Sequence, residues 1–298
     1  MSKNLRINSS KYIDQTNRIS FIFNGKKYYG YKGDTLASSL LANDLHLVGR
    51  SFKYHRPRGI MTAGSEEPNA IVQLHKNTSR TEPNVRATEI EIYDGLEASS
   101  QNCWPSVNFD IGGINNLLSP ILPAGFYYKT FMWPASFWKN YEYFIRKSAG
   151  LGKSPTKADP DIYEHKYIHC DVLVIGSGIS GIMAAKTAAK NKLKTLLIEE
   201  KPNLGGSTIY QNSEYFKINN QTSSSWLEKE INEVKKIENL EIKTRTSVAA
   251  SYGYNFLLAR ENLTDHLPIE HRKNKARHRL LKIRAKKLFL LLDLLRDL

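Results

Sequence analysis

The feature that most limits what this chain can fold into is the run Gly176-Ser177-Gly178-Ile179-Ser180-Gly181, placed directly after the apolar stretch Asp171-Val-Leu-Val-Ile175. Its glycines have G-x-G-x-x-G spacing, and Ile182, Ala185 and Ala189 follow at helical period. Thr195-Leu-Leu-Ile198 reads as a second buried strand, with Glu199 and Glu200 at its end. Strand, glycine turn, helix, strand and terminal acid together form a dinucleotide-binding fingerprint on a right-handed βαβ unit. Gly176 permits the tight turn, Gly178 admits a pyrophosphate to the backbone, and Gly181 lets the helix approach the strand. Unpaired amides at the helix start then face the phosphates with a partial positive charge. Glu199 or Glu200 can accept from ribose hydroxyls and would repel a 2′-phosphate, so the expected ligand is NAD or FAD rather than NADP. Leu204-Gly205-Gly206-Ser207 reads either as a pyrophosphate-side turn with a Ser207 contact or as a plain turn.

Beyond the βαβ unit, a helix is expected over about 226–237 and a strand near 240–244. Tyr254–Leu258 and Arg279–Phe289 look like meander strands. The chain is 298 residues long, enough for about two domains. No stretch is apolar for long enough to cross a membrane, and the N-terminus lacks the apolar core of a signal peptide. A cytoplasmic location is expected, and two cysteines fit a reducing compartment.

The N-terminal segment has a different signature. Ile19-Ser-Phe21-Ile-Phe23 alternates, Asn24-Gly25 supplies a type I′ turn, and Tyr29 and Tyr31 return on a second strand. Asp34 or Thr35 then caps a helix whose buried stripe is Leu36, Leu40 and Leu41. Hairpin then helix opens a β-grasp domain, the fold of plant-type 2Fe–2S ferredoxins. The stretch corresponding to their cluster loop, Arg50-Ser-Phe-Lys-Tyr-His-Arg-Pro-Arg-Gly59, holds no cysteine, so a cluster-free domain is expected.

Between these segments, Gln101–Pro105 and Phe126–Pro134 read as packed loops, and Trp138, Tyr141 and Phe144 fall at helical spacing. Their aromatic content fits a face buried against another domain or subunit, or an ordinary core. Ala149–Pro160 is the natural linker. The division is therefore a β-grasp domain over 1–98, a connecting segment over 99–162, and a dinucleotide-binding domain over 163–298.

The formal charge is +14, and nine Lys or Arg lie between Arg272 and Lys287. Leu280, Leu281, Ile283 and Ala285 are interleaved with them, so the run reads as solvated strand faces. No nucleic-acid recognition motif accompanies it. Neither metal-ligand spacing nor a nucleophile elbow is present, and no residue stands out as an acid, base or nucleophile. No catalytic residue is expected on this chain, which leaves a pure assembly module as the contrasting reading.

Several long motifs resemble the α subunits of heterotetrameric sarcosine oxidases. They include Gly33-Asp-Thr-Leu-Ala-Ser-Ser-Leu-Leu-Ala42, His46 through Ile60, Gly64-Ser-Glu-Glu-Pro-Asn-Ala70, Ala124 through Pro134, and Tyr163-Glu-His-Lys-Tyr-Ile-His-Cys-Asp171. The resemblance implies a cluster-free ferredoxin-like domain followed by an incomplete Rossmann-type two-dinucleotide-binding domain. It implies NAD on this chain, held by Ser180, Glu199, Glu200, Lys201, Ser207 and Val248. It places FAD, FMN and tetrahydrofolate elsewhere in a complex with β, γ and δ subunits. That complex demethylates sarcosine to glycine, forming hydrogen peroxide and methylenetetrahydrofolate. Subunits of opine and other amino-acid dehydrogenases are the nearest alternative. The family carries an Ala-Thr-Gly strand end where this chain reads Leu291 through Leu298, and a one-base frame shift can restore it. The resemblance thus implies a truncated subunit, out of frame after about Lys287, with an open apolar sheet edge and weak or absent NAD binding.

Overall fold

A computed structural model of the chain describes residues 5–6, 12–117, 119–121, 133–148, 152–210 and 215–291. Most of the loop expected at Phe126–Pro134, the start of the linker at Ala149 and the tail from Leu292 lie outside the described residues. The chain divides into two compact units, Met1–Pro160 with His266–Lys273, and Asp161–Asp265 with Asn274–Leu298. Among the described residues, no helix is long and apolar enough to cross a membrane.

In the first unit, β1 (Asp14–Phe23) and β2 (Lys26–Lys32) form the expected antiparallel hairpin. Asn24 and Gly25 both take the positive φ that a type I′ turn demands. Helix α1 (Leu36–Ala42) follows, and Thr35 rather than Asp34 caps it through a reciprocal pair with Ser38. Asp34 instead sits buried beneath the turn, accepting from both terminal nitrogens of Arg6, the Tyr31 amide and the Ser38 hydroxyl. A short hairpin of β3 (Gly49–Arg50) and β4 (Pro57–Arg58) comes next. Strands β5 (Ile71–Leu74), β6 (Glu82–Arg86) and β7 (Leu96–Ser100) complete a five-stranded sheet ordered β2-β1-β7-β5-β6. The inward residues Ile19, Phe21 and Phe23 of β1 pack on Leu36 and Leu40 of α1, with Val72 and Leu96. This alternation is what lets a sheet wrap one helix. Two further helices, α2 (Ile114–Leu117) and α3 (Trp138–Ser148), belong to the same unit.

In the second unit, β8 (Ile162–Ile175) leads into α4 (Ile179–Lys190) and β9 (Thr195–Ile198). A two-residue pair, β10 (Lys217–Ile218) and β11 (Gln221–Thr222), precedes α5 (Ser223–Val234). Then come β12 (Leu240–Lys243), β13 (Thr246–Tyr252), β14 (Phe256–Asn262) and β15 (Ala276–Leu290). The six-stranded sheet is mixed, ordered β12-β9-β8-β15-β14-β13, with β12, β9, β8 and β15 parallel. Alternation again sorts the two faces. Val172, Val174 and Leu197 pack on α4 and α5 through Ile182, Ala185, Trp226 and Leu227. Leu173, Ile175, Leu196 and Ile198 meet Leu257, Ala259, Leu281 and Ile283 of the meander.

Two expectations change here. The strand expected at Asp171–Ile175 begins nine residues earlier, because its polar first half pairs with β15 in parallel register from Ile162 onward. The open apolar edge expected of a truncated sheet does not fall at β8, since β15 flanks β8 to Leu290 and Leu291 donates to the Ile175 carbonyl. The charged run lies largely on β15 as a strand, as expected, with Arg284, Lys286 and Lys287 exposed and three of its cations paired with acids. Arg279 meets Glu164 and Glu261, Arg277 meets Asp161 and Asp265, and Lys286 meets Asp171.

Candidate functional site

The turn between β8 and α4 collects the fingerprint. The Gly176 amide donates to the Ile198 carbonyl at 2.9 Å, which ties the turn to the end of β9. Gly178 is the N-cap of α4 and supplies no side-chain cap, so the first amides of the helix lack the hydroxyl or carboxylate that usually satisfies them. Those donors and the helix dipole make a seat for an anion. Small residues bring the helix down onto the sheet: Gly181, Ala185 and Ala189 are all buried. A Cβ at Gly181 would overlap the Gly176 carbonyl oxygen and lie 2.9 Å from its carbon.

Of the two acids, Glu199 is buried and Glu200 exposed. One Glu199 oxygen accepts from the Ser177 amide at 2.9 Å and the Ser177 hydroxyl at 2.5 Å, and the other accepts from the Lys201 amide at 2.9 Å. Backbone bonds from Glu199 to Lys243 and from Thr246 to Glu199 hold this strand end between β12 and β13. The Lys201 ammonium lies 5.2 Å from the Tyr210 ring centroid. Gly205 donates to the Ser177 carbonyl at 3.0 Å, which brings the Leu204–Ser207 turn against the glycine loop. There Gly206 is buried and Ser207 exposed at the start of a 3-10 turn, while Ile179 is half-buried and Ser180 exposed. Val248 sits on β13 opposite Ala259, its side chain packed against the meander core. The structure thus brings the glycine turn, the acids and the second glycine pair together and gives Val248 a packing role. The contribution of Gly205 and the inward turn of the Ser177 hydroxyl were not read from the sequence, because both depend on contacts 22–28 residues away.

The comparisons with known proteins bear on both units. Residues 16–103 match a family described as a 2Fe-2S iron-sulfur cluster binding domain. Residues 171–275 match the FAD dependent oxidoreductase family. That second match overturns the expectation of NAD on this chain with the flavin elsewhere: it points to FAD on the second unit. The glycine turn and ribose acid read an ADP half that both dinucleotides share, so the fingerprint could not choose between them. The residues fit this group, with uncapped helix amides for phosphate, a close-packed Gly181, and a carboxylate at the strand end.

The cluster is a different matter. A 2Fe–2S centre of this fold takes four thiolates, and Cys103 is the lone cysteine in the matched segment. The loop from Arg50 to Gly59 is instead cross-linked by protein groups. The Arg50 guanidinium donates to the carbonyls of Val107 and His55, and Asn102 donates to the Ser51 carbonyl. The His55 ring meets the buried Asp110 carboxylate at 2.6 Å. Among the described residues, no group of three His, Cys, Asp or Glu is placed to hold a metal. The residues here do not fit a cluster; a polar clamp from 102–116 holds the loop. Asp110→Asn is expected to destabilise the first unit by about 1.5–3 kcal/mol, since a hydrogen bond to a charged group is lost. It should also speed tryptic cleavage after Lys53, and unchanged cleavage and melting would refute the clamp.

Among solved structures, L-proline dehydrogenase from P. horikoshii has the same fold at a TM-score of 0.55 and 19% identity, over 97% of this chain and 42% of that one. The sarcosine oxidase subunit alpha of Rhizobium meliloti (strain 1021) is 48% identical over 87% of this chain and 26% of its own length. Its counterpart from Corynebacterium sp. (strain U-96) is 29% identical over 97% of this chain, again 26% of the relative. The chain is therefore a relative of sarcosine oxidase alpha subunits, spanning about a quarter of their length and carrying a ferredoxin-like domain followed by an FAD oxidoreductase domain with a mixed sheet.

Proposed function

We propose that the chain is the dinucleotide-holding and scaffolding part of a multi-subunit, flavin-dependent sarcosine oxidase. In this reading it works in the cytoplasm with β, γ and δ partners to demethylate sarcosine oxidatively to glycine. The observation that carries the reading is the junction of Glu199 with the glycine turn, formed where the FAD-dependent family matches. FAD, when bound, supplies a ring system able to take up an electron pair. The chain's own residues bind and orient. The α4 amides at Ile179, Ser180 and Gly181 meet phosphate, and Glu199 meets ribose with Glu200 at the rim. Lys201, Gly206 and Ser207 line the far side.

Titrating the full 298-residue chain with FAD tests this. Saturable quenching of flavin fluorescence is expected, together with co-purification of a flavin-bearing partner from the source cells and no sarcosine oxidation by the chain alone. Unquenched flavin at high protein concentration would overturn the assignment.

A further inference from the structure

Ser177 occupies the second, freely variable position of the glycine fingerprint, where a side chain is not needed to make the turn. Here that side chain has no exposure at all and points inward. Its hydroxyl donates to the Glu199 carboxylate at 2.5 Å and accepts from the Gly205 amide at 3.2 Å. Its own amide donates to the same Glu199 oxygen, and its carbonyl accepts from the same Gly205 amide. Three separate segments therefore meet on one serine: the β8–α4 turn, the end of β9 and the Gly205–Gly206 turn.

We propose that Ser177 is a positioning residue of the cofactor site, a hydroxyl relay that sets the Glu199 carboxylate and the Gly205 turn for an adenine dinucleotide it does not itself touch. This rests on the FAD reading above.

The chemistry of the position is restrictive. A group there must donate to a carboxylate and accept from an amide within the volume of a methylene and one oxygen. Alanine offers neither. With the hydroxyl in place, one Glu199 oxygen is engaged twice by Ser177, which fixes the side-chain rotamer. The other oxygen carries only the Lys201 amide among the hydrogen bonds described, so it keeps acceptor capacity for a ribose hydroxyl. Without the relay, the carboxylate gains rotamer freedom that a bound ribose must remove. The Gly205 turn is flanked by Leu227 and Ile209, whose side chains fill the space a Cβ there would take. Its amide also retains the Ser177 carbonyl at 3.0 Å. The fold should therefore survive the loss of the hydroxyl better than the cofactor site does.

The test is a double-mutant cycle on the full chain. FAD dissociation constants come from flavin fluorescence and melting temperatures from the flavin-free protein, for wild type, Ser177→Ala, Glu199→Gln and the pair. Ser177→Ala is expected to weaken FAD about tenfold, which is 1.4 kcal/mol. The pair should be hardly worse than Glu199→Gln alone, because the serine acts through the acid. A wild type that takes up no flavin overturns the cofactor reading and this inference with it. A wild type that binds while Ser177→Ala binds within twofold overturns the relay alone, and a lowered melting temperature with unchanged affinity marks the serine as merely structural. Additive losses in the cycle would also overturn it, since the hydroxyl would then act independently of Glu199.

Discussion

Gly181→Ala should cost the chain its flavin affinity. The added methyl group overlaps the Gly176 carbonyl, and the atoms it meets most closely are backbone, so no flexible side chain can swing away to make room. Either α4 lifts from β8 or the glycine turn opens. Both displace the uncapped amides that follow Gly178. Losing one amide-to-phosphate hydrogen bond, at about 1.5–3 kcal/mol for a charged acceptor, weakens binding roughly ten- to a hundredfold. Overpacking a close contact adds about 1–3 kcal/mol of destabilisation to the second unit. Flavin titration and thermal melting of the same variant separate the two effects. An alanine variant that binds FAD within twofold of wild type would show that the helix start is not the phosphate seat.

Glu67→Ala should produce the largest loss of stability in the first unit. Glu67 is buried, with 1% of its surface exposed. Its carboxylate accepts the backbone amides of Met61, Thr62, Asn69 and Ala70 at 2.7–3.1 Å. Burial by itself would raise its pKa, but the amides of Thr62, Asn69, Met61 and Ala70 outweigh it and hold the group below its ordinary value of 4.5. Removing the acceptor strands several donors at once, at a cost of about 3 kcal/mol or more. For a unit of this size that lowers the melting temperature by roughly 6–12 °C.

The pH dependence has a definite sign. Because the folded pKa is lowered, the stabilisation is fully present above the unfolded value and disappears as pH falls through the folded one. Glu67→Gln, which keeps the shape but cannot ionise, should flatten the fall in stability below about pH 4.5 relative to wild type. Melting curves from pH 6 down to about pH 3 measure this, and parallel curves for the two proteins would rule it out.

Much of the candidate site was legible because its pattern is local. Gly176, Gly178 and Gly181 lie within a span of six residues, and Glu199 follows after one helix and one strand, so backbone geometry alone brings them together. The hairpin at Asn24-Gly25 and the start of α1 at Asp34 or Thr35 were legible for the same reason. What escaped detection depends on distant partners. The first half of β8 carries no apolar run to mark it as strand and is ordered by β15, more than a hundred residues on, laid beside it. Asp34 passes for a helix cap until Arg6 turns it inward. His266–Lys273, deep in the second half of the sequence, joins the first unit, with Arg272 over the Tyr93 ring at 4.9 Å.

The order of the two units, the hairpin and helix of the first, the βαβ turn of the second and the lack of four thiolates for a cluster can all be read from the residues in line. These follow from periodicity, turn chemistry and a cysteine count, which need only neighbouring residues or simple arithmetic. The grip of Ser177 on Glu199, the clamping of the Arg50–Gly59 loop by Arg50, His55 and Asp110, and the pairing of Arg279 with acids on β8 and β14 emerge only in three dimensions. Each of those is a hydrogen bond or ion pair whose strength depends on burial and separation, and both are set only when segments far apart in the chain are brought together.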